Sequence, residues 1–213
     1  MALTPAADAP RIGVFGGAYE PTHIAHVALA EAALTQLSLA QLCIFPTGRA
    51  WHKSRGLTDP AHRLAMAQLA FGDLPRVRVD AREVRRPGPT YTLDTLHELQ
   101  AENPTAQLVL IMGADQAAAL PTWHGWLEIL SIAIISIAYR AHRVESATST
   151  ARFDPQTLPG LPVGARFEML DLPPMDTSAT DIRARAVRGD DITRLVPPAV
   201  ARYIDQHHLY HSA

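Results

Sequence analysis

The sequence has few means of holding itself or a ligand by covalent or purely long-range electrostatic bonds. One cysteine, Cys43, lies within an apolar run; this excludes an internal disulfide framework and a cysteine-based zinc site, and fits a reducing compartment. The 19 Lys and Arg nearly balance the 21 Asp and Glu. No overall field would therefore hold a nucleic acid or an anionic membrane, and any bound phosphate must be gripped locally. The longest apolar stretch, Leu127 to Tyr139, is broken by Glu128, Ser131 and Ser136 and is too short to span a bilayer. A basic-then-apolar leader is also missing, and the first residues, MALTPAADAP, read as a loose extension. A cytoplasmic protein without membrane or nucleic-acid partners is expected. There is no internal repeat, no low-complexity tract and no Ser/His/Asp or Cys/His arrangement of the kind used for nucleophilic attack.

What is present is an alternation. With 213 residues the chain suits one well-buried α/β domain with a small appendage. RIGVF (from Arg11), QLCIFP (from Gln41), VRVDAREV (from Val77), QLVLIMG (from Gln107), IAIISIA (from Ile132) and RFEMLDL (from Arg166) read as strands, the fourth apolar enough to sit mid-sheet with both faces covered. Between them, Val27, Ala30, Leu34 and Leu37 predict a helix from about Thr22. Asp59 and Pro60 open a second, with Leu64, Ala67 and Phe71 on one face, and Leu93, Leu96 and Leu99 mark a third. Residues 141–160 read as a loop. Ser178 with Asp181 resembles a capping box, Gly189 stops that helix, and Pro197-Pro198 starts the last one. The pattern predicts an α/β fold with a doubly wound, mostly parallel sheet, in which ligands collect at the carboxyl ends of the strands.

The segment VFGGAYEPTHIAH carries the chemistry. A helix starting directly after a strand and a Gly-Gly turn offers unpaired N–H groups and a partial positive charge. Gly16 and Gly17 permit close backbone approach. His23 and His26, three apart, share one face of that helix end and suit the stabilisation of charge developing on a phosphorus centre. A tight turn with a surface histidine pair remains the plain alternative. Zinc is a third option, but the acidic neighbour of an H-E-x-x-H helix is absent and no third ligand is evident.

GGAYEPTHIAH resembles the G-G-x-F-D-P-x-H-x-G-H segment of the nucleotidyltransferases with an H-x-G-H motif. TYTLDTL (from Thr90), MGADQAAALPTW (from Met112), SATDIR (from Ser178) and VPPAVARYIDQHHLY (from Val196) extend the resemblance from Gly13 to Tyr210, and narrow it to the bacterial nicotinate-nucleotide adenylyltransferases. Three positions depart from the family pattern: Tyr19 for Phe, Glu20 for Asp and Ala25 for Gly. The methyl of Ala25 bears most directly on ATP affinity, because glycine there lets the helix lie close against the nucleotide.

The resemblance implies a Rossmann-like nucleotidyltransferase domain over 11–175, after an extension over 1–10. A C-terminal helical subdomain over 176–213 would complete an ATP site. It implies attack by the phosphate of nicotinate mononucleotide on the α-phosphorus of ATP, a reaction of alignment and charge stabilisation. Gly16, Gly17, His23, His26, His52, Lys53, Ser178, Thr180 and Arg183 would hold ATP, with His23, His26 and Arg183 acting on the transferred group. Mg2+ would ride on the ATP phosphates rather than in a protein cage. Tyr91 and Thr92 at a helix start would receive the nicotinate carboxylate, Trp123 would stack on its ring, and Asp115 would lie near ribose or metal. Arg140 would add positive charge. Without the resemblance, Ser178 reads as an ordinary cap, Arg183 as a surface arginine, Trp123 as core with Trp126 the alternative core residue, and the RAWHKS loop as solvated surface. The sibling alternatives keep the fold and ATP but take nicotinamide mononucleotide or phosphopantetheine; a nucleotide-binding module without turnover is the non-enzyme alternative. The oligomeric state is left open, a homo-oligomer included.

Overall fold

Strand β1, Arg11–Gly17, buries its centre and exposes Gly16 at its carboxyl end. In this computed structural model, which describes residues 9–48, 56–140, 153–173 and 175–210, β1 joins β2 (Gln41–Pro46), β3 (Val77–Val79), β4 (Gln107–Gly113), β5 (Ala133–Arg140) and β6 (Phe167–Leu172) in one sheet. The strand order is β3-β2-β1-β4-β5-β6, and the β1–β4, β4–β5 and β5–β6 pairs are parallel. This is the doubly wound order, with its reversal between β1 and β4. As expected, β4 lies inside the sheet; Leu108 and Val109 are fully buried. Each such side chain contributes roughly 1.5–3 kcal/mol of transfer free energy.

The chain forms two compact units that are not contiguous in sequence. The first comprises residues 1–16, 32–43 and 91–174, the second 17–31, 44–90 and 175–213. In the first, helix α4 (Thr92–Glu102) buries Leu93, Leu96 and Leu99, followed by α5 (Ala114–Ala119), a 3-10 turn over Leu120–Thr122, and α6 (Trp126–Ile132). In the second, α1 (Ile24–Gln36) begins, α2 spans Pro60–Phe71, α7 Ala179–Arg188 and α8 Pro198–Gln206. Met66, Ile182, Val196, Val200, Ile204 and Leu209 form an apolar cluster that joins α2, α7 and α8. Among the described residues no helix is long and apolar enough to cross a membrane.

The cap signals hold. Asp59 accepts a hydrogen bond from the Ala61 N–H at 2.8 Å ahead of Pro60, Ser178 caps α7 through the Asp181 N–H at 3.2 Å, and Gly189 ends α7 in the left-handed region. The capping box is half formed, because the Asp181 carboxylate takes Arg185 Nε at 2.8 Å.

Three expectations are corrected. Helix α1 starts at Ile24 rather than Thr22, with His23 at the capping position: its carbonyl accepts from the His26 and Val27 N–H groups at 2.9 and 3.3 Å. The predicted strand VRVDAREV ends at Val79 and gives way to a short helix, α3, Arg82–Arg85. The cause is Asp80, which accepts from the Arg82 backbone N–H at 2.9 Å and from the guanidiniums of Arg82 and Arg78, a side-chain turn that competes with the ladder. The buried face of α2 is Arg63, Met66, Ala67 and Phe71, whereas Leu64 is only half-buried. The expected loop over 141–160 lies outside the described residues up to 152, with a 3-10 turn at Pro155–Thr157 beyond.

Burial pushes the Asp80 carboxyl up, but hydrogen bonds from Arg82 and Arg78 and the charge of Arg82 outweigh it and lower its pKa to about 2. A depressed folded pKa means the contribution is full above the ordinary value near 4 and is lost as pH falls toward 2. Asp80→Asn is expected to lower stability by on the order of 1–2 kcal/mol at pH 7. Urea unfolding at pH 7 and pH 3 should show the gap between the two proteins narrowing at the lower pH; a gap independent of pH would exclude this ion pairing.

Candidate functional site

The carboxyl ends of β1 and β4 are neighbours at the point where strand order reverses. Gly16 lies at the first end, and a Cβ built on it would meet nothing within 4 Å among the described residues. Nothing in the described protein fills that space, which leaves the backbone open to a ligand. At the second end, the Asp115 carboxylate folds back toward Gly113, whose added Cβ would lie 2.7 Å from Asp115 Oδ1. Asp115 is exposed and accepts from Gln116 Nε2 at 3.1 Å.

The second unit holds the histidine pair. His23 is 4 % exposed, and its ring stacks on His26 with centroids 3.6 Å apart and planes 24° apart. His26 Nδ1 accepts from the His23 backbone N–H at 3.2 Å, which puts the proton of the neutral ring on Nε2 and makes that nitrogen a donor. The edge of Tyr19 meets His26 at 5.1 Å and Phe71 at 5.8 Å. Tyr19 adopts φ 49°, a left-handed conformation that costs a bulky residue on the order of 1–3 kcal/mol. Its ring is 1 % exposed. Burial, and then the charge of Glu83, raise its phenol well above the ordinary value. Ala25 is also buried, in the first turn of α1.

Glu20, a carboxylate longer than the family pattern, is 3 % exposed. Its Oε1 accepts from the Thr58 N–H at 2.8 Å and from the Thr58 hydroxyl at 2.7 Å, so the added methylene spans to the segment ahead of α2. Its carbonyl accepts from Arg183 Nη1 at 2.7 Å, and Arg183 Nη2 reaches Thr180 Oγ1 at 3.2 Å. Arg183 is thus a half-buried, anchored guanidinium rather than a loose surface charge. Within this unit Arg183 is bonded to the Glu20 carbonyl and to Thr180, His23 and His26 are joined to each other, and Ser178 is exposed at the start of α7. His52 and Lys53, with Trp51, lie outside the described residues, as does the side chain of Arg140.

In the first unit, Tyr91 caps α4 and Thr92 is its first residue, as the sequence implied. The Tyr91 ring lies 4.5 Å from that of His124, next to Trp123. Trp123 and Trp126 are both half-buried, so burial does not separate a core tryptophan from an exposed one. Tyr91, Thr92, Asp115 and Trp123 all belong to this unit.

Two residues escaped the sequence reading. His124 follows the tryptophan but has no spacing signal linking it to Tyr91. Arg63 is fully buried; Nε donates to the Thr58 carbonyl at 2.9 Å, Nη1 to those of Ala18 and Thr47 at 3.0 and 2.6 Å, and Nη2 to that of Gly48 at 2.9 Å. Burial lowers its pKa, opposed by the charges of Glu20, Tyr210 and Asp59. Its available signal was an arginine in helical register with Met66, Ala67 and Phe71, the buried face of α2.

Comparison with known proteins matches residues 14–185 to the cytidylyltransferase-like family. A protein of Albidiferax ferrireducens named "Probable nicotinate-nucleotide adenylyltransferase" is 53% identical over 203 residues, covering 95% of this chain and 99% of that one. The chain belongs to the nicotinate-nucleotide adenylyltransferase family, within the cytidylyltransferase-like proteins. A protein of the same name from Methylibium petroleiphilum is 39% identical, covering 94% of this chain and 92% of that one. The solved Plasmodium falciparum nicotinic acid mononucleotide adenylyltransferase complexed with NaAD shares the fold: TM-score 0.71 at 18% identity, covering 94% of this chain and 97% of that one. Family members carry this fold, and the departures at Tyr19, Glu20 and Ala25 are therefore variations within it.

Glu20→Asp, the residue usual in the family pattern, is expected to destabilise this protein by about 1–3 kcal/mol, because the shorter arm leaves the Thr58 donors and the carboxylate buried apart. The urea midpoint should fall with an unchanged slope. An unaltered midpoint would show that the Thr58 contact contributes nothing.

Proposed function

We propose that this chain transfers the adenylyl group of ATP to nicotinate mononucleotide, giving nicotinate adenine dinucleotide and pyrophosphate in the biosynthesis of NAD. The observation that carries this reading is the stacked His23–His26 pair at the start of α1. It follows a glycine turn in a chain 53% identical over nearly its whole length to a protein named for that activity. A phosphate oxygen of nicotinate mononucleotide attacks the α-phosphorus, and the bond from that phosphorus to the bridging oxygen of the β-phosphate breaks, its electron pair leaving with pyrophosphate. The attacking group is ionised at neutral pH, so no general base is required.

The residues contribute position and charge. The amides after Gly16 and Gly17, with His23 and His26 Nε2, would bind the α-phosphate and the charge developing there. Ser178, Thr180 and Arg183 would take the β- and γ-phosphates, Arg183 being oriented by its bond to the Glu20 carbonyl. His52 and Lys53 are assigned to the same phosphates. A magnesium ion carried by the triphosphate would supply charge neutralisation there. Tyr91 and Thr92 would receive the nicotinate carboxylate at the start of α4, with Trp123 against the pyridinium face and Asp115 toward ribose. Two backbone donors favour a carboxylate over an amide, whose NH2 end cannot accept from them. A reducing, cytoplasmic location suits the lone buried Cys43.

Pyrophosphate release with ATP and nicotinate mononucleotide tests the reading, with nicotinamide mononucleotide and phosphopantetheine offered separately. The parent protein is expected to prefer nicotinate mononucleotide, and His23→Ala to lose at least ~100-fold in kcat while still folded, with a cooperative melting transition above the assay temperature. Equal rates for parent and variant would remove His23 from the mechanism, and turnover only with another acceptor would reassign the substrate.

A further inference from the structure

An anion site made of backbone needs its N–H groups available and its carbonyl oxygens engaged elsewhere, because each carbonyl is a partial negative charge that repels phosphate. In this protein one side chain gathers four carbonyls. Arg63 is 0 % exposed and draws in the carbonyl of Ala18 from the glycine-turn segment, those of Thr47 and Gly48 after β2, and that of Thr58 ahead of α2. In a trans peptide the N–H points opposite to the carbonyl. The Tyr19 and Gly48 N–H groups, paired in their peptides with the Ala18 and Thr47 carbonyls, are therefore directed away from the guanidinium.

The fit is exclusive in two ways. Only a guanidinium offers a planar fan of donors able to meet carbonyls from three segments at once; a lysine ammonium has three donors at a single nitrogen. The space beside Gly48 is also closed, since a Cβ built there would lie 2.1 Å from the Glu83 carbonyl oxygen and 3.1 Å from Thr90 Oγ1. The strand ends are tied directly as well: the Thr47 N–H donates to the Gly17 carbonyl at 2.9 Å. All four oxygens bound by Arg63 are uncharged, and the Glu20 carboxylate is linked to it through Thr58. The cation is therefore solvated by peptide dipoles, without a carboxylate in direct contact in these bonds.

We propose that Arg63 is a positioning residue for ATP binding: it seats the glycine turn against the exit of β2 by gathering four carbonyls to itself, so that these oxygens are withdrawn from the triphosphate. The inference rests on the adenylyltransferase reading in taking the glycine-turn segment as the ATP site. It adds a residue that touches no substrate and acts through the backbone it holds.

The test is calorimetric titration of Mg-ATP and, separately, of nicotinate mononucleotide into the parent, Arg63→Lys, Arg63→Met and Val200→Ala. The last is a control that thins the α8 core and lowers stability without approaching the carbonyl cluster. All titrations are run at least 15 °C below each protein's melting midpoint. Mg-ATP affinity is expected to fall tenfold or more in Arg63→Lys and Arg63→Met, with nicotinate mononucleotide affinity within twofold of the parent and Val200→Ala binding both ligands like the parent. In turnover, the KM for ATP should rise while that for the acceptor stays. Folded Arg63 variants with parental ATP affinity would overturn the proposal, as would an equal loss for both ligands. If neither Arg63 variant melts cooperatively, Arg63 is a folding determinant and the positioning role falls. A parent that binds Mg-ATP but turns over none of the acceptors would sink the functional reading while leaving the Arg63 result interpretable.

Discussion

A guanidinium removed from water must find oxygen to replace its hydration, and isolated burial costs several kcal/mol. Arg63 meets that requirement with four backbone carbonyls drawn from segments that follow β1, follow β2 and precede α2. Those segments have no regular hydrogen-bond ladder of their own to fix their paths. The constraint works in both directions: the loops keep the cation solvated, and the cation keeps the loops in one arrangement. The helix that carries Arg63 is itself held by Met66, on the same buried face, in the apolar cluster with α7 and α8.

The network continues outward from Thr58. Its carbonyl goes to Arg63 and its N–H and hydroxyl go to Glu20, whose own carbonyl takes Arg183. The candidate phosphate-binding arginine of α7 and the segment just ahead of His23 are in this way joined to one polar chain. Such chains are worth more than separate pairs because each member fixes the orientation of the next. The long carboxylate at position 20 has a physical reason here: it reaches Thr58.

Much of the fold was legible because the punctuation is local. Proline at the first position of α2 and α8, Asp59 and Ser178 as caps, and the uninterrupted apolar run of β4 each act within a few residues. The glycine turn and the paired histidines were legible for the same reason. What escaped the sequence depends on distant partners. The strand expected through VRVDAREV failed because alternation carries no record of Asp80 binding the guanidiniums beside it. Arg63 was missed because an arginine reads as solvent-facing by default, so the face of α2 was drawn through Leu64 instead. The contact of Tyr91 with His124 joins residues far apart in the chain. Trp123 and Trp126, which the family resemblance would divide into platform and core, are half-buried alike.

The two compact units are woven from alternate stretches of the chain, with passages between them at 16–17, 31–32, 43–44, 90–91 and 174–175. No single truncation isolates either one. A gene fragment ending anywhere along the sequence would give a piece that lacks strands or helices its own unit requires, so neither the histidine-bearing half nor the tryptophan-bearing half is available as a detachable module. The longest uninterrupted stretch of the first unit is 91–174, which carries Tyr91, Thr92, Asp115 and Trp123, so an exchange between relatives confined to that stretch leaves the sequence of the second unit untouched.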